Sequence, residues 1–230
     1  MEPNSIYHLI ISNKDFLKII YGLLIGLFCF IIVLRTDKLF RLSMHQGIRY
    51  FRNAFFFYGI AFLFRAIIGG IFLIQSGEIA YFFISSFIFE FFLISAGFFL
   101  LYSLIWKTFE SERVNSSLFN GKIFVFYLIA LVLSGLDLTL GGYYFLFLSQ
   151  VFVFTLATGI SFNNLRRDQG KHGFPRFYFL AMLLSLIAWM LNAFAALYFN
   201  WSQIIILNTN LINAIIFLLF LLGVLIITKK

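Results

Sequence analysis

NAFFFYGIAFLFRAIIGGIFLI at 53–74 and IAYFFISSFIFEFFLISAGFFLLYSLIW at 79–106, joined by the four residues QSGE, decide the fold. Each run contains one charged residue, Arg65 in the first and Glu90 in the second. A helix of about 20 apolar residues matches the ~30 Å hydrocarbon core of a bilayer. Neither run has the polar stripe that a helix on a soluble domain needs. Both therefore read as transmembrane helices, and the short connection makes them antiparallel neighbours.

Five more apolar runs flank this pair, at about 16–34, 123–140, 143–162, 177–199 and 203–227. The expected fold is an all-α integral membrane protein, one seven-transmembrane-helix bundle over residues 1–230. The composition agrees: 62% of residues are hydrophobic and 11% charged, whereas a soluble domain is nearer a quarter charged. The two prolines, Pro3 and Pro175, lie outside the runs, so no span is expected to break at proline. No basic segment precedes the first run, and Arg35-Thr36-Asp37-Lys38 follows it instead of small residues. It reads as a retained helix, not a cleaved leader.

Charge sets the expected orientation. Fourteen of the 17 Lys and Arg residues fall in alternate connections and the C-terminal tail. Positive charge marks the cytoplasmic side, so the N-terminus is expected outside and the C-terminus in the cytoplasm, at a cell membrane. The net charge of +8 then faces anionic lipid headgroups, and no nucleic-acid partner is called for. Arg41, Arg49, Arg52, Arg166, Arg167 and Lys171 are candidates to meet lipid headgroups or a membrane or cytosolic protein partner. The stretch 35–52 reads as a basic loop.

Small and polar residues mark the faces turned inward. The second span has Ala54, Tyr58, Ala61, Arg65 and Gly69 on one face, and the sixth has Ala181, Ser185, Ala188, Asn192 and Ala196. With Ser86, Glu90 and Gly97 of the third span, these predict a packed centre of spans 2, 3 and 6. Span 1, with Gly22 and Gly26, reads as peripheral with one close contact. Arg65 and Glu90 each lie ~15 Å from the same end of their spans. A lone charge there costs about 2.5–3.5 kcal/mol, so an Arg65–Glu90 ion pair is expected. Ser134, Asp137, Ser149, Gln150, Asn192, Asn210 and Asn213 lie near the midplane or in the outer half. Together these predict an outward-facing polar ligand pocket bounded by spans 2, 3, 6 and 7. Its candidate residues are Arg65, Glu90, Asn192, Asn210, Asn213 and Asp137.

Catalytic and cofactor signatures are missing. His8, His45 and His172 lie outside the runs with no ligand spacing, and no metal site is expected. There is no nucleophile elbow, phosphate-binding loop or dinucleotide fingerprint. No catalytic residue and no cofactor is assigned, and the reading is non-enzymatic.

The layout resembles seven-helix receptors and rhodopsins. It also resembles small sugar transporters built as two three-helix repeats around a linker helix. In that comparison Arg52, Arg65 and Glu90 parallel Arg176, Asn192 and Asn213, but the Pro-Gln signature of those transporters is absent. The last run contains no Lys, so a covalent retinal has no residue to attach to. Three functions fit: a sensor or receptor-like module, a small-solute or ion transporter, and a structural subunit of a larger membrane complex. The outer polar cluster beside a basic inner face favours the first.

Overall fold

The computed structural model describes residues 14–74, 79–109, 118–119, 121–167, 173–199 and 203–228. Among them are seven helices: α1 (Lys14–Ser43), α2 (Gln46–Ile74), α3 (Ile79–Phe109), α4 (Gly121–Leu140), α5 (Tyr144–Arg167), α6 (Gly173–Phe199) and α7 (Gln203–Thr228). Each is long and apolar enough to cross a membrane. Their outward faces expose Leu23, Leu27 and Phe30 on α1, Leu128 and Leu131 on α4, and Leu148 and Phe152 on α5. Such a surface is an aggregation liability in water and a matched one in lipid. The helices point to a multi-pass membrane protein. Pro175 falls in the first turn of α6, where no intrahelical N–H bond is lost.

Six helices close a ring in the order α1, α2, α3, α5, α6, α7, with α7 returning to α1. The remaining helix, α4, lies outside the ring against α3 and α5. Two expectations change. First, α6 packs chiefly on α5 and α7 and meets α2 near its own start, where Tyr178 lies 5.9 Å from the Phe51 ring, so spans 2, 3 and 6 are walls of the ring and not a fused centre. Their small stripes are buried all the same, with Ala54, Ala61, Ala181 and Ala188 closed off. Second, α1 is not peripheral, because it packs along α2 and also against α7. Glycine explains the closeness to α2: a Cβ at Gly22 would stand 2.9 Å from the Ala66 Cβ and 3.0 Å from the Phe62 carbonyl oxygen. The peripheral helix is α4.

The expected basic loop at 35–52 is almost wholly helical. α1 continues to Ser43 and α2 begins at Gln46, leaving Met44 and His45 between them. Met44 takes φ 52° and its N–H still donates to the Phe40 carbonyl at 2.7 Å. Arg, Lys and Leu are good helix formers, so nothing stops the helix where the apolar run ends. Asp37 fastens the two extensions. Its carboxylate accepts from the Arg41 Nε at 2.9 Å and pairs with the Arg52 guanidinium on α2. Arg49 and Arg52 also lie over the Phe40 ring, each 5.7 Å from its centroid.

The clamp is partly solvated, so its expected contribution is small. Asp37→Asn should lower stability by about 0.5–1 kcal/mol. A double-mutant cycle with Arg52→Gln, followed by thermal unfolding in detergent, measures the coupling. Strictly additive single mutants would mean that the pair does not fasten α1 to α2.

The α4–α5 connection is built differently. Gly141 adopts φ 67°, the left-handed conformation suited to glycine after a helix end. Its N–H donates to the Asp137 carbonyl at 2.9 Å. The Asp137 side chain then reaches across the turn. One carboxylate oxygen accepts the Phe145 N–H at 2.9 Å and the other accepts the Leu146 N–H at 2.7 Å. These donors open α5 and have no partner within that helix.

Candidate ligand cavity inside the six-helix ring

The ring encloses a cavity of about 590 Å³, within the ~300–1,000 Å³ typical of small-molecule sites. All six ring helices line it, so the predicted walls α2, α3, α6 and α7 are joined by α1 and α5. Along α2 the lining runs from Phe55 to Gly69, about 21 Å at helical rise.

Polarity changes along that length. At the end near the start of α1 stand Lys18, Arg65, Ser85 and Ser86, with Asn210 and Asn213 from α7 and Asn192 from α6. Tyr143, in the α4–α5 turn, also lines this end, and its hydroxyl lies 3.3 Å from the Ser86 hydroxyl. At the opposite end the lining is Phe55, Leu100, Phe154 and Phe220. Between them stands an aromatic wall: Phe217 meets Phe55, Tyr58 and Phe62 edge to face, at 5.6–6.1 Å between centroids.

Arg65 is held by that wall. Its guanidinium carbon lies 4.6 Å from the Phe89 centroid, and Phe89 meets Phe62 edge-on at 5.7 Å. A guanidinium over a ring face is attracted by the ring quadrupole. The expected Arg65–Glu90 ion pair does not form: the Arg65 guanidinium lies over Phe89 and no oxygen of Glu90 comes within 4 Å of it. Helical pitch gives the reason. Residues 89 and 90 point ~100° apart, and Phe89 takes the cavity-facing direction. Glu90 is therefore turned away and buried, 3% exposed. One of its carboxyl oxygens has no hydrogen-bond partner among the described residues, and the neighbouring acid is Asp137 of α4.

The candidate residues thus divide in two. Arg65, Asn192, Asn210 and Asn213 come together on the cavity, while Glu90 and Asp137 are not among its lining residues. Asp137 is occupied in holding the start of α5. Several other polar groups are satisfied locally. Ser134, Ser149 and Ser185 donate to carbonyls three or four residues back in their own helices. Gln150 of α5 donates to the Leu93 carbonyl of α3 at 3.2 Å. Lys18 joins the lining as well, and its spacing of four from Gly22 is the signal in the sequence that puts it on the same face of α1. Phe89 and Phe217 carried no signal among 35 phenylalanines.

The basic candidates lie apart from the cavity. Arg41, Arg49 and Arg52 belong to the α1–α2 extensions, and Arg166 near the end of α5 lies over Phe162 at 4.4 Å. The side chain of Arg167 and the whole of Lys171 lie outside the described residues. Among the described residues no three His, Cys, Asp or Glu side chains converge as a metal site. Compared with known proteins, the chain matches no family model, no curated protein and no solved structure.

Proposed function

We propose that the protein is a sensor or receptor-like module that binds a ligand in the cavity of the six-helix ring. The observation that carries this reading is the cavity itself, enclosed by six helices and polar at one end. Isolated bundles of this size gain stability by filling their centre, and an internal space of this volume is what ligand binding requires. Occupancy would bear on α6 and α7, which contribute Asn192, Asn210 and Asn213. Positive charge on alternate connections supports an N-terminus outside and a C-terminus in the cytoplasm. In that orientation the polar end opens outward, and the Arg41, Arg49, Arg52 and Arg166 ends face anionic headgroups or a cytosolic partner.

Binding is tested with the neutral fluorophore prodan and protein in phosphatidylcholine nanodiscs. Saturable binding above that of empty nanodiscs is expected, reduced at least tenfold by the cavity-filling variant Asn213→Trp. Signal equal to empty nanodiscs would remove the reading. Orientation is tested in a Cys29→Ala background. A cysteine at Ser5 should react with a membrane-impermeant maleimide in intact cells, and one at Lys230 only after permeabilisation. The opposite pattern would reverse the bundle.

A further inference from the structure

We infer that the cavity takes an amphiphile with one anionic head, a carboxylate or a phosphate ester, held at Arg65 with its apolar body along the aromatic end. The inference rests on the ligand-cavity reading above and adds the chemical class of the ligand.

Charge is the first argument. The described lining contains two cations, Lys18 and Arg65, and no Asp or Glu. Glu90 is adjacent in sequence to the lining residue Phe89 yet is turned out of the cavity, and the Asp137 carboxylate is taken up by two backbone N–H groups. A cationic ligand would meet like charge in that lining, which opposes binding.

The state of Arg65 is the second argument. Phe89 covers one face of its guanidinium, but a ring face accepts none of the N–H donors along the guanidinium edge. Among the described residues no ion pair within 4 Å and no hydrogen bond is found at the Arg65 guanidinium, and Glu90 acts on it only at longer range. A guanidinium at this depth is costly unless its donors are met. Carboxylate and phosphate oxygens match its fork, two parallel bonds at a time. Asn192 of α6 and Asn213 of α7 line the same cavity and carry neutral amide donors.

The shape of the lining is the third. From Arg65 the cavity continues ten residues down α2 to Phe55, ~15 Å at helical rise. It ends among Phe55, Phe154 and Phe220, with no charged side chain there. A small anion would fill the polar end and leave this apolar length empty. An apolar ligand would fill that length and leave Arg65 unmatched. An anionic amphiphile satisfies both ends. Its source is either a free acid from the water phase or an acidic lipid from the bilayer, and the recognising chemistry is the same.

The test is a charge series with one apolar body: 11-(dansylamino)undecanoate, its methyl ester and the corresponding terminal amine. Each is titrated into the protein in phosphatidylcholine nanodiscs at pH 8, where a free carboxylic acid is ionised. The acid is expected to bind saturably at least tenfold more tightly than the ester, and the amine more weakly than either. Arg65→Gln should bring the acid to the affinity of the ester and leave the ester unchanged, and Arg65→Lys should restore part of the preference. The wild-type series decides the matter even if Arg65→Gln does not fold. Displacement of the acid by decanoate, or by phosphatidylglycerol added to the nanodiscs, supports the class and identifies the source. Displacement by neither would overturn it. Saturable binding with no preference for the acid would overturn the anionic class and leave the ligand cavity standing. No saturable binding by any of the three would remove the cavity reading as well.

Discussion

Asp137→Ala is expected to destabilise the bundle by about 2–4 kcal/mol, through two backbone donors left without acceptors. The carboxylate holds the Phe145 and Leu146 N–H groups at 2.9 and 2.7 Å. Asp137 is 1% exposed, so water cannot take its place. Each unmet donor costs ~1–3 kcal/mol, and apolar surroundings do not relieve it. Asp137→Asn keeps one acceptor oxygen, so roughly half the loss is expected. Cys29 provides the measurement: it is the sole cysteine of the chain and is buried. A thiol-reactive fluorophore therefore reports unfolding during a thermal ramp in detergent. If the Ala and Asn variants melt with the wild type, Asp137 is not what holds the start of α5, and a role beside Glu90 becomes the better account.

A second large effect is expected where α1 meets α2, and two glycines one turn apart should behave differently. A Cβ at Gly22 meets the Ala66 Cβ at 2.9 Å and the Phe62 carbonyl oxygen at 3.0 Å. That oxygen is backbone and cannot rotate away. Gly22→Ala should cost about 1–3 kcal/mol, and Gly22→Leu more, because it forces α1 off α2. At Gly26 the first atoms met are the Cδ2 and Cγ of Leu63, at 2.5 and 2.6 Å. Leu63 is partly exposed on the outer surface, so its side chain can swing toward lipid. Gly26→Ala should cost under about 1 kcal/mol. Cys29 lies in the same interface, its Cβ 3.1 Å from where a Cβ at Gly59 would stand, so its alkylation reports separation of the two helices directly. A more damaging effect at Gly26 than at Gly22 would contradict the packing described.

Gly22 also lines the cavity. Loss of ligand binding in Gly22→Leu would therefore accompany loss of packing and would say nothing specific about the ligand. Variants of Arg65 and Asn213 are the informative ones for binding.

Two features of the α4–α5 hairpin differ in how far the sequence reveals them. The turn at Gly141-Gly142 is readable, because this pair of adjacent glycines stands in the middle of a mostly apolar stretch at 121–162 that is too long for one span. The role of Asp137 was not readable. An acid near the end of a span looks the same whether it faces a pocket or reaches eight residues ahead to a backbone N–H. Likewise, basic residues at 35–52 mark the end of the membrane-embedded segment but not the end of the helix. Hydropathy reports the solvent, whereas helix termination needs a cap or a breaker.

By itself the sequence determined the number of apolar helices, their approximate spans and the small-residue stripes that are buried, such as Ala54 and Ala61 of α2. These follow from lengths set by bilayer thickness and from spacing along one helix, both of which are local. Tertiary structure alone decided that six helices form a ring with α4 outside, that the centre is a cavity, and that Arg65 lies over Phe89 while Glu90 turns away to Asp137. Those outcomes depend on the azimuth at which each helix meets its neighbours. In a chain with apolar residues on nearly every face, no single-helix pattern specifies that angle. It is settled by contacts between helices, such as Gly22 against Ala66 and Gln150 against Leu93, whose partners lie tens of residues apart.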